Sequence, residues 1–385
     1  MHFLKLIVKN ALRHKLRTLL TLFGIVVAIV AFGLLSTVVD AWYSGAEGAS
    51  STRLVTRNAI SLAFSLPITY KGKIRQVEGV RAISFANWFG GIYKEPKNFF
   101  PQFAIDAPTY LQMYPEYRLA DADRLAFLRD KKGCLVGRKL ADTYGFKTGD
   151  IVALKGTIFP GNWEFIVRGI YEGTEPKTDT SQFFFHWDYL NETLRRTVPR
   201  RAQLVGLYVV DINAPDRAAE ISREIDKLFR NSLAETLTET EKAFQLGFVS
   251  MTEAIVVAIR AVSFVVIFII MAVMANTMAM TARERIAEYA TLKALGFGPG
   301  FLAALILGES LAISLAGSAI GIALTFPVAE RFGRAMGTLF KVFYVSGGTI
   351  ALQVACAIVV GIAAAIVPAH RAATVRIVDG LRSIG

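Results

Sequence analysis

The side chains best able to do chemistry in this sequence crowd into one short stretch. It reads Arg283-Glu284-Arg285-Ile286-Ala287-Glu288-Tyr289-Ala290-Thr291-Leu292-Lys293-Ala294-Leu295-Gly296. Acids and bases alternate along it, a pattern that suits ion pairing and docking. If the stretch is helical, Arg285, Glu288, Leu292 and Leu295 share one face, because residues three and four apart are neighbours on a helix. That face would offer charge and apolar surface together to a partner. An ordinary charged loop helix is the plainer alternative. Gly296, Gly298 and Pro299 then stop the helix.

Bond-making chemistry has little to work with. The sequence contains no G-x-S-x-G elbow. Its histidines, His2, His14, His186 and His370, are scattered without metal-ligand spacing, so neither a catalytic residue nor a metal site is expected. No G-x-x-x-x-G-K-[ST] loop is present, so this chain does not cradle nucleotide phosphates in that way. Cys134 lies in a soluble region and Cys356 in an apolar one, and the two are not expected to pair.

The elements that must position the charged stretch are apolar. Residues 18–39 carry no charge, which is enough chain to cross about 30 Å of hydrocarbon. A signal peptide would have a shorter apolar region, about 7–15 residues, so this run reads as an uncleaved anchor. Further runs cover residues 261–282, residues 301–326 with Glu309 inside, and residues 342–369. They are continuous rather than alternating, so they read as helices and not barrel strands.

Charge orients them. The formal net charge is +12, yet residues 40–260 hold 29 bases and 26 acids. The excess sits beside the spans: Lys5, Lys9, Arg13, Lys15 and Arg17 before the first, and Arg371, Arg376 and Arg382 after the last. This is a membrane pattern, not a nucleic-acid footprint. It puts both termini in the cytoplasm. Arg331, Arg334 and Lys341, in the short loop between the third and fourth spans, run against that assignment.

The expected organisation is a multi-pass α-helical membrane protein with four transmembrane helices. A large mixed α/β extracytoplasmic domain is inserted between helices 1 and 2. Residues 1–17 form an amphipathic interface helix, 18–40 the first span, 41–250 the domain, and 251–282 a stalk and second span. Residues 283–300 form the charged loop helix and 301–326 the third span. Residues 327–345 are a short outer loop, 346–369 the fourth span and 370–385 a cytoplasmic tail.

Within the domain, helices are expected at residues 71–78, 138–144 and 214–229. Strands are expected at residues 80–85, 151–154, 163–170 and 204–211, and Gly133–Gly137 leads into the helix at 138–144. Leu233, Leu237, Phe244, Phe248 and Met251 recur at roughly helical spacing, which predicts one helix, whole or broken, over residues 231–260. Aromatics crowd two patches, Phe85 to Tyr117 and Phe183 to Tyr189, either as core or as an exposed contact for a partner or lipid. Gly317 and Gly321 make a G-x-x-x-G pattern that lets another helix approach. Glu309 is costly in a bilayer, so it should face the bundle or the cytoplasmic interface and serve helix packing.

These residues together carry a resemblance. Asn276-Thr277-Met278, Glu284-Arg285, Glu288 and Lys293-Ala294-Leu295-Gly296 resemble the signature after the second span of MacB/FtsX-type ABC transporter permeases, the transmembrane subunits of type VII ABC transporters. Tyr289-Ala290 stands where that family usually has Ile-Gly. Residues 10–21, Gly308-Glu309-Ser310, Pro368-Ala369-His370-Arg371-Ala372-Ala373 and Gly380-Leu381-Arg382 resemble other parts of its pattern, and residues 133–173 resemble its periplasmic core domain.

The resemblance implies a permease that is not an enzyme by itself. A partner ABC ATPase would bind ATP and Mg, and this chain would hold no cofactor. Arg283, Glu284, Arg285, Glu288, Leu292 and Lys293 would form the ATPase-coupling helix, and Gly317, Gly321 and Glu309 would serve helix packing. The permease would pair as a homodimer, or as a heterodimer with a related permease. It would sit in the lipid of the bacterial inner membrane with its large domain in the periplasm, with an adaptor protein as a further partner. Work would be done outside the membrane by mechanotransmission, to export or extract a lipoprotein, lipid, peptide or drug. The alternative is an FtsX-like regulator that activates a periplasmic or cell-wall hydrolase and transports nothing.

Overall fold

The computed structural model describes residues 15–175, 177–337, 340 and 342–375. The proposed interface helix of residues 1–17 therefore lies almost wholly outside the described residues, as do Lys341 and the tail from residue 376. The chain divides into two compact units. One takes in the chain up to Asp40, Glu253–Ala335 and the chain from Phe343, and the other Ala41–Thr252 with Met336–Val342.

The second unit is α/β. After the long helix α1 (Lys15–Glu47) come β1 (Arg53–Asn58), β2 (Leu66–Pro67), α2 (Tyr70–Ile74), β3 (Val80–Trp88), β4 (Gly91–Ile92), β5 (Gln102–Ile105), α3 (Ala107–Met113), β6 (Tyr117–Arg118) and α4 (Asp121–Arg129). There follow β7 (Gly133–Gly137), α5 (Arg138–Tyr144), β8 (Ile151–Gly156), β9 (Gly161–Gly173), β10 (Phe183–His186), α6 (Trp187–Thr197), β11 (Leu204–Val205), β12 (Leu207–Ile212), α7 (Ala218–Leu228), β13 (Thr236–Thr240) and α8 (Glu241–Ser250).

One large mixed sheet runs β13-β1-β12-β3-β5-β10-β7-β9-β8-β4, with β6 on β9. The β5–β10 and β7–β9 pairs are parallel and the other pairs along this path antiparallel. Strand β10 explains the second aromatic patch. Successive strand side chains point to opposite faces. Phe183 and Phe185 accordingly enter one core with Phe89, Phe100 and Phe165, while Phe184 enters the other with Tyr110, Tyr114 and Tyr171. Most of the first patch is core as well, but Trp88 and Phe99 stay exposed.

Two local expectations change. The helix expected at residues 71–78 closes at Ile74, one turn after it begins. The helix expected over residues 231–260 gives way at its start to β13, which pairs antiparallel with β1. Thr236, Thr238 and Thr240 alternate with Leu237 and Glu239, and β-branched alternation favours a strand. Helix begins only at Glu241, where the Thr240 hydroxyl accepts from the Ala243 amide, and it breaks again around Met251–Thr252.

The other unit contains α1, α9 (Glu253–Glu284), α10 (Ile286–Ala294), α11 (Pro299–Ala335) and α12 (Gly347–Thr374). Among the described residues, α1, α9, α11 and α12 are long and apolar enough to cross a membrane. Gly317 and Gly321 face α1 so closely that a Cβ on either would meet Ile25 or Ile29 at 2.8–2.9 Å. Ser310 and Ser314 of α11 donate to the Gly361 and Ala357 carbonyls of α12, each at 2.6 Å. Gln353 of α12 donates to the Ile29 carbonyl at 2.9 Å and to Thr325 Oγ1 at 3.0 Å, joining three helices. Asp40 accepts from Ser346 at 2.7 Å and Thr349 at 2.8 Å, tying α1 to the start of α12.

Candidate functional site

The charged stretch folds into the short helix α10, set off from α9 by one non-helical residue, Arg285. Gly296 takes a φ of +92° beyond its end, a conformation that costs glycine least. Arg285 is turned inward and only 6% exposed. Its Nη1 donates to Glu309 Oε2 of α11 at 3.0 Å and its Nε to Glu288 Oε2 at 2.9 Å. Its guanidinium also lies 5.4 Å from the ring centre of Tyr289. Glu309 is itself 3% exposed. A buried guanidinium needs several acceptors to offset its lost hydration, and two carboxylates and a ring face supply them. The buried Tyr289 phenol is pushed up to about 12 by that burial.

The far end of α10 is tied down differently. Lys293 Nζ donates to the Ala373 carbonyl at 2.6 Å and to the Val375 carbonyl at 2.8 Å. These carbonyls stand at the C-terminus of α12, where orphan acceptors and the helix dipole both attract a cation. Just before α10, Glu284 takes a two-pronged bond from Arg17 of α1, at 2.7 and 2.8 Å. The segment 284–293 therefore touches all four long helices: α9 through the chain, α1 through Arg17, α11 through Glu309 and α12 through Lys293.

This geometry revises the outward face drawn from the sequence. Arg285 is not on it, because its charge is spent inside the bundle. Leu292 is half-buried and packs against the helical core. The surface that remains is Thr291, Ala294 and the outer part of Glu288 on α10, continued beyond the helix by Leu295 and by Phe297, whose ring stacks on Phe301. Leu295 is 72% exposed. Arg283 and Glu284 are exposed at the other end. Phe297 was missed by the sequence reading, which treated residues 296–299 only as a stop. Gly317, Gly321 and Glu309 all face the bundle, the first two against α1. Among the described residues no group of histidine, cysteine and carboxylate side chains is arranged to hold a metal ion.

Residues 18–228 match the family described as MacB-like periplasmic core domain, and residues 260–377 match the FtsX-like permease C-terminal family. The chain belongs to the MacB/FtsX-type permeases. It is similar along nearly its whole length to an uncharacterised ABC transporter permease of Methanocaldococcus jannaschii, at 22% identity over 97% of this chain and 96% of that one. Among solved structures, the extracellular domain of the noncanonic ABC-type transporter YknZ from Gram-positive bacteria is similar at 13% identity and a TM-score of 0.36. It covers 49% of this chain and 98% of that one. The periplasmic region of MacB from Actinobacillus actinomycetemcomitans is similar at 8% identity and a TM-score of 0.36, over 52% of this chain and 94% of that one. This MacB/FtsX-type permease is thus a multi-pass membrane protein and an ABC transporter permease, a class whose work implies a partner ATPase.

Proposed function

We propose that this permease takes up the work of a separate ABC ATPase through α10 and delivers it to the α/β unit, outside the cytoplasm. In this reading both termini lie in the cytoplasm, so α10 lies on the ATPase side and the α/β unit, between the first two spans, on the other. The observation that carries the reading is the anchoring of segment 284–293 to all four long helices. A displacement of α10 cannot remain local, because Arg285 and Lys293 pull on α11 and α12 at opposite ends of it.

The two roles of α10 then separate. Leu295 and Phe297 dock on the ATPase at one end of α10 and Arg283 at the other, while Arg285, Glu288, Lys293 and Glu309 pass the movement on. ATP and Mg belong to the partner, and this chain contributes neither nucleotide binding nor catalysis. Two copies, or this chain and a related permease, pair in the cytoplasmic membrane. The work serves to export or extract a hydrophobic or amphipathic substrate, with an adaptor as a third component.

The test is affinity purification of the tagged protein from native membranes, with mass spectrometry of what accompanies it. An ABC ATPase in near-equal amount is expected, and it should be lost from a Leu295→Glu, Phe297→Glu variant. A hydrolase as the third component would move the reading to an FtsX-like regulator. Absence of any ATPase under mild detergent would overturn it.

A further inference from the structure

One end of the α/β unit combines exposed apolar side chains with a concentration of positive charge. Three segments meet there. The β2–β11 pair and the bond from the Ile68 amide to the Gln203 carbonyl, at 3.0 Å, join residues 59–75 to residues 195–204. The Ala59 amide bonds the Glu235 carbonyl at 2.9 Å, Tyr70 Oη bonds Ser232 Oγ at 3.1 Å, and Tyr70 stacks on Phe229 at 3.8 Å. These contacts join residues 59–75 to residues 227–235. In the strand direction this is the end of β1 and β13 opposite to the one where the chain enters at Arg53 and leaves at Thr240.

Together the three segments hold nine bases and one acid, Glu235, and one of the nine, Lys71, is paired with Asp106 outside them. Residues 40–260 as a whole are almost balanced, so the charge is concentrated here and not spread. Lys73, Arg75, Lys227 and Arg230 are exposed, and Lys73 reaches over the Phe229 ring. On the same joined segments, Ile60 stands 82% exposed and Phe64 55%, with Leu62 and Leu233 also bare. They project from two loops instead of lining a groove, as a helix-binding site would require. Protein interfaces also deplete lysine and other charges at their centre. Exposed apolar tips on segments rich in cations fit a surface that is apolar within and anionic at its boundary.

We propose that this end of the α/β unit docks on anionic lipid. The side chains of Ile60, Phe64 and Leu233 enter the acyl boundary, and Lys73, Lys227 and Arg230 meet the phosphates. The site stands on this local geometry and needs no ATPase, so it can fail while the coupling reading survives, and the reverse.

The full-length protein, held in nanodiscs of phosphatidylcholine, tests it by co-flotation with vesicles. Vesicles of phosphatidylcholine with phosphatidylglycerol should bind it, and pure phosphatidylcholine vesicles should not. Binding should weaken with salt, since exposed charges are screened. Ile60→Ser with Phe64→Ser, and separately Lys73→Glu with Arg230→Glu, should each cut binding roughly tenfold, and all four sites are exposed enough for the fold to tolerate them. A Phe64→Trp variant should show added quenching by brominated phosphatidylglycerol vesicles relative to the parent. The proposal is overturned if the wild type ignores anionic vesicles, if both tip variants bind as well as it does, or if the Phe64→Trp variant shows no added quenching. Saturable capture of an acidic peptide without any vesicle binding would likewise sink it and make the surface a protein site.

Discussion

The two units of this permease are held together by different means. In the α/β unit the interior is filled with large rings: Phe89, Phe100, Phe127, Phe165 and the Phe183-Phe184-Phe185 run are all fully buried. In the helical unit the tight contacts are made by small or polar residues: Gly317, Gly321, Ser310, Ser314 and Gln353. The contrast follows from the solvent each unit faces. Water drives large apolar groups inward, so a sheet can be held by ring volume. Lipid tails are as apolar as leucine, so helices in a bilayer associate through close backbone approach and interhelical hydrogen bonds. Apolar residues such as Phe23, Phe264 and Phe268 are left on the outside of the helices for the same reason.

If the contrast is right, the largest losses come from emptying the ring core or stranding the buried ion pair. Phe184→Ala should destabilise the α/β unit by about 3–5 kcal/mol, read as faster proteolysis of that unit in the intact protein. Arg285→Ala leaves Glu309 buried without its cation, a change that costs about 3–5 kcal/mol in other proteins. Converting both to a well-packed pair, Arg285→Met with Glu309→Leu, should restore stability in detergent but not ATP coupling. Next is Gly321→Leu, which forces α1 away from α11. An overpacking cost of about 1–3 kcal/mol is expected, seen as a lower thermal midpoint. A smaller effect, about 0.6 kcal/mol, is expected for Ser314→Ala, since single interhelical hydrogen bonds in membranes contribute little.

The smallest effect concerns pH and belongs to the α/β unit alone. His186 is buried, its Nε2–H donates to the Phe127 carbonyl at 2.7 Å, and burial lowers its affinity for a proton. The unfolded chain therefore takes up a proton first as pH falls below about 6.5, and the native state loses stability in that window. His186→Gln should flatten the dependence when proteolysis of this unit is compared at about pH 7.5 and about pH 5.5, either side of the ordinary histidine value.

Much of this division is legible in the sequence alone. The continuous apolar runs announced α1, α9, α11 and α12, because nothing but a membrane span needs such length. The helix Arg138–Tyr144 was legible, since Gly137 and Gly145 bracket it. Strand β13 was not, because Leu233, Leu237 and Phe244 imitate a helical stripe. Only its partner β1, far away in sequence, decides the matter. The charged stretch was found, but its inside and outside were not. Arg285 was distinguished from Leu295 by Glu309, a residue on another helix. No spacing rule along one helix can supply that contact.

The central claim is that Arg285 passes movement on and does not dock the ATPase. Its most direct test is hydrogen exchange of the α/β unit in the purified permease–ATPase complex, with and without ATP and vanadate, for the wild type and for Arg285→Met, Glu309→Leu. The account predicts an ATP-dependent change in the wild type and none in the variant, with the ATPase still bound at full stoichiometry. An unchanged ATP response in the variant, or loss of the ATPase from it, would contradict the account.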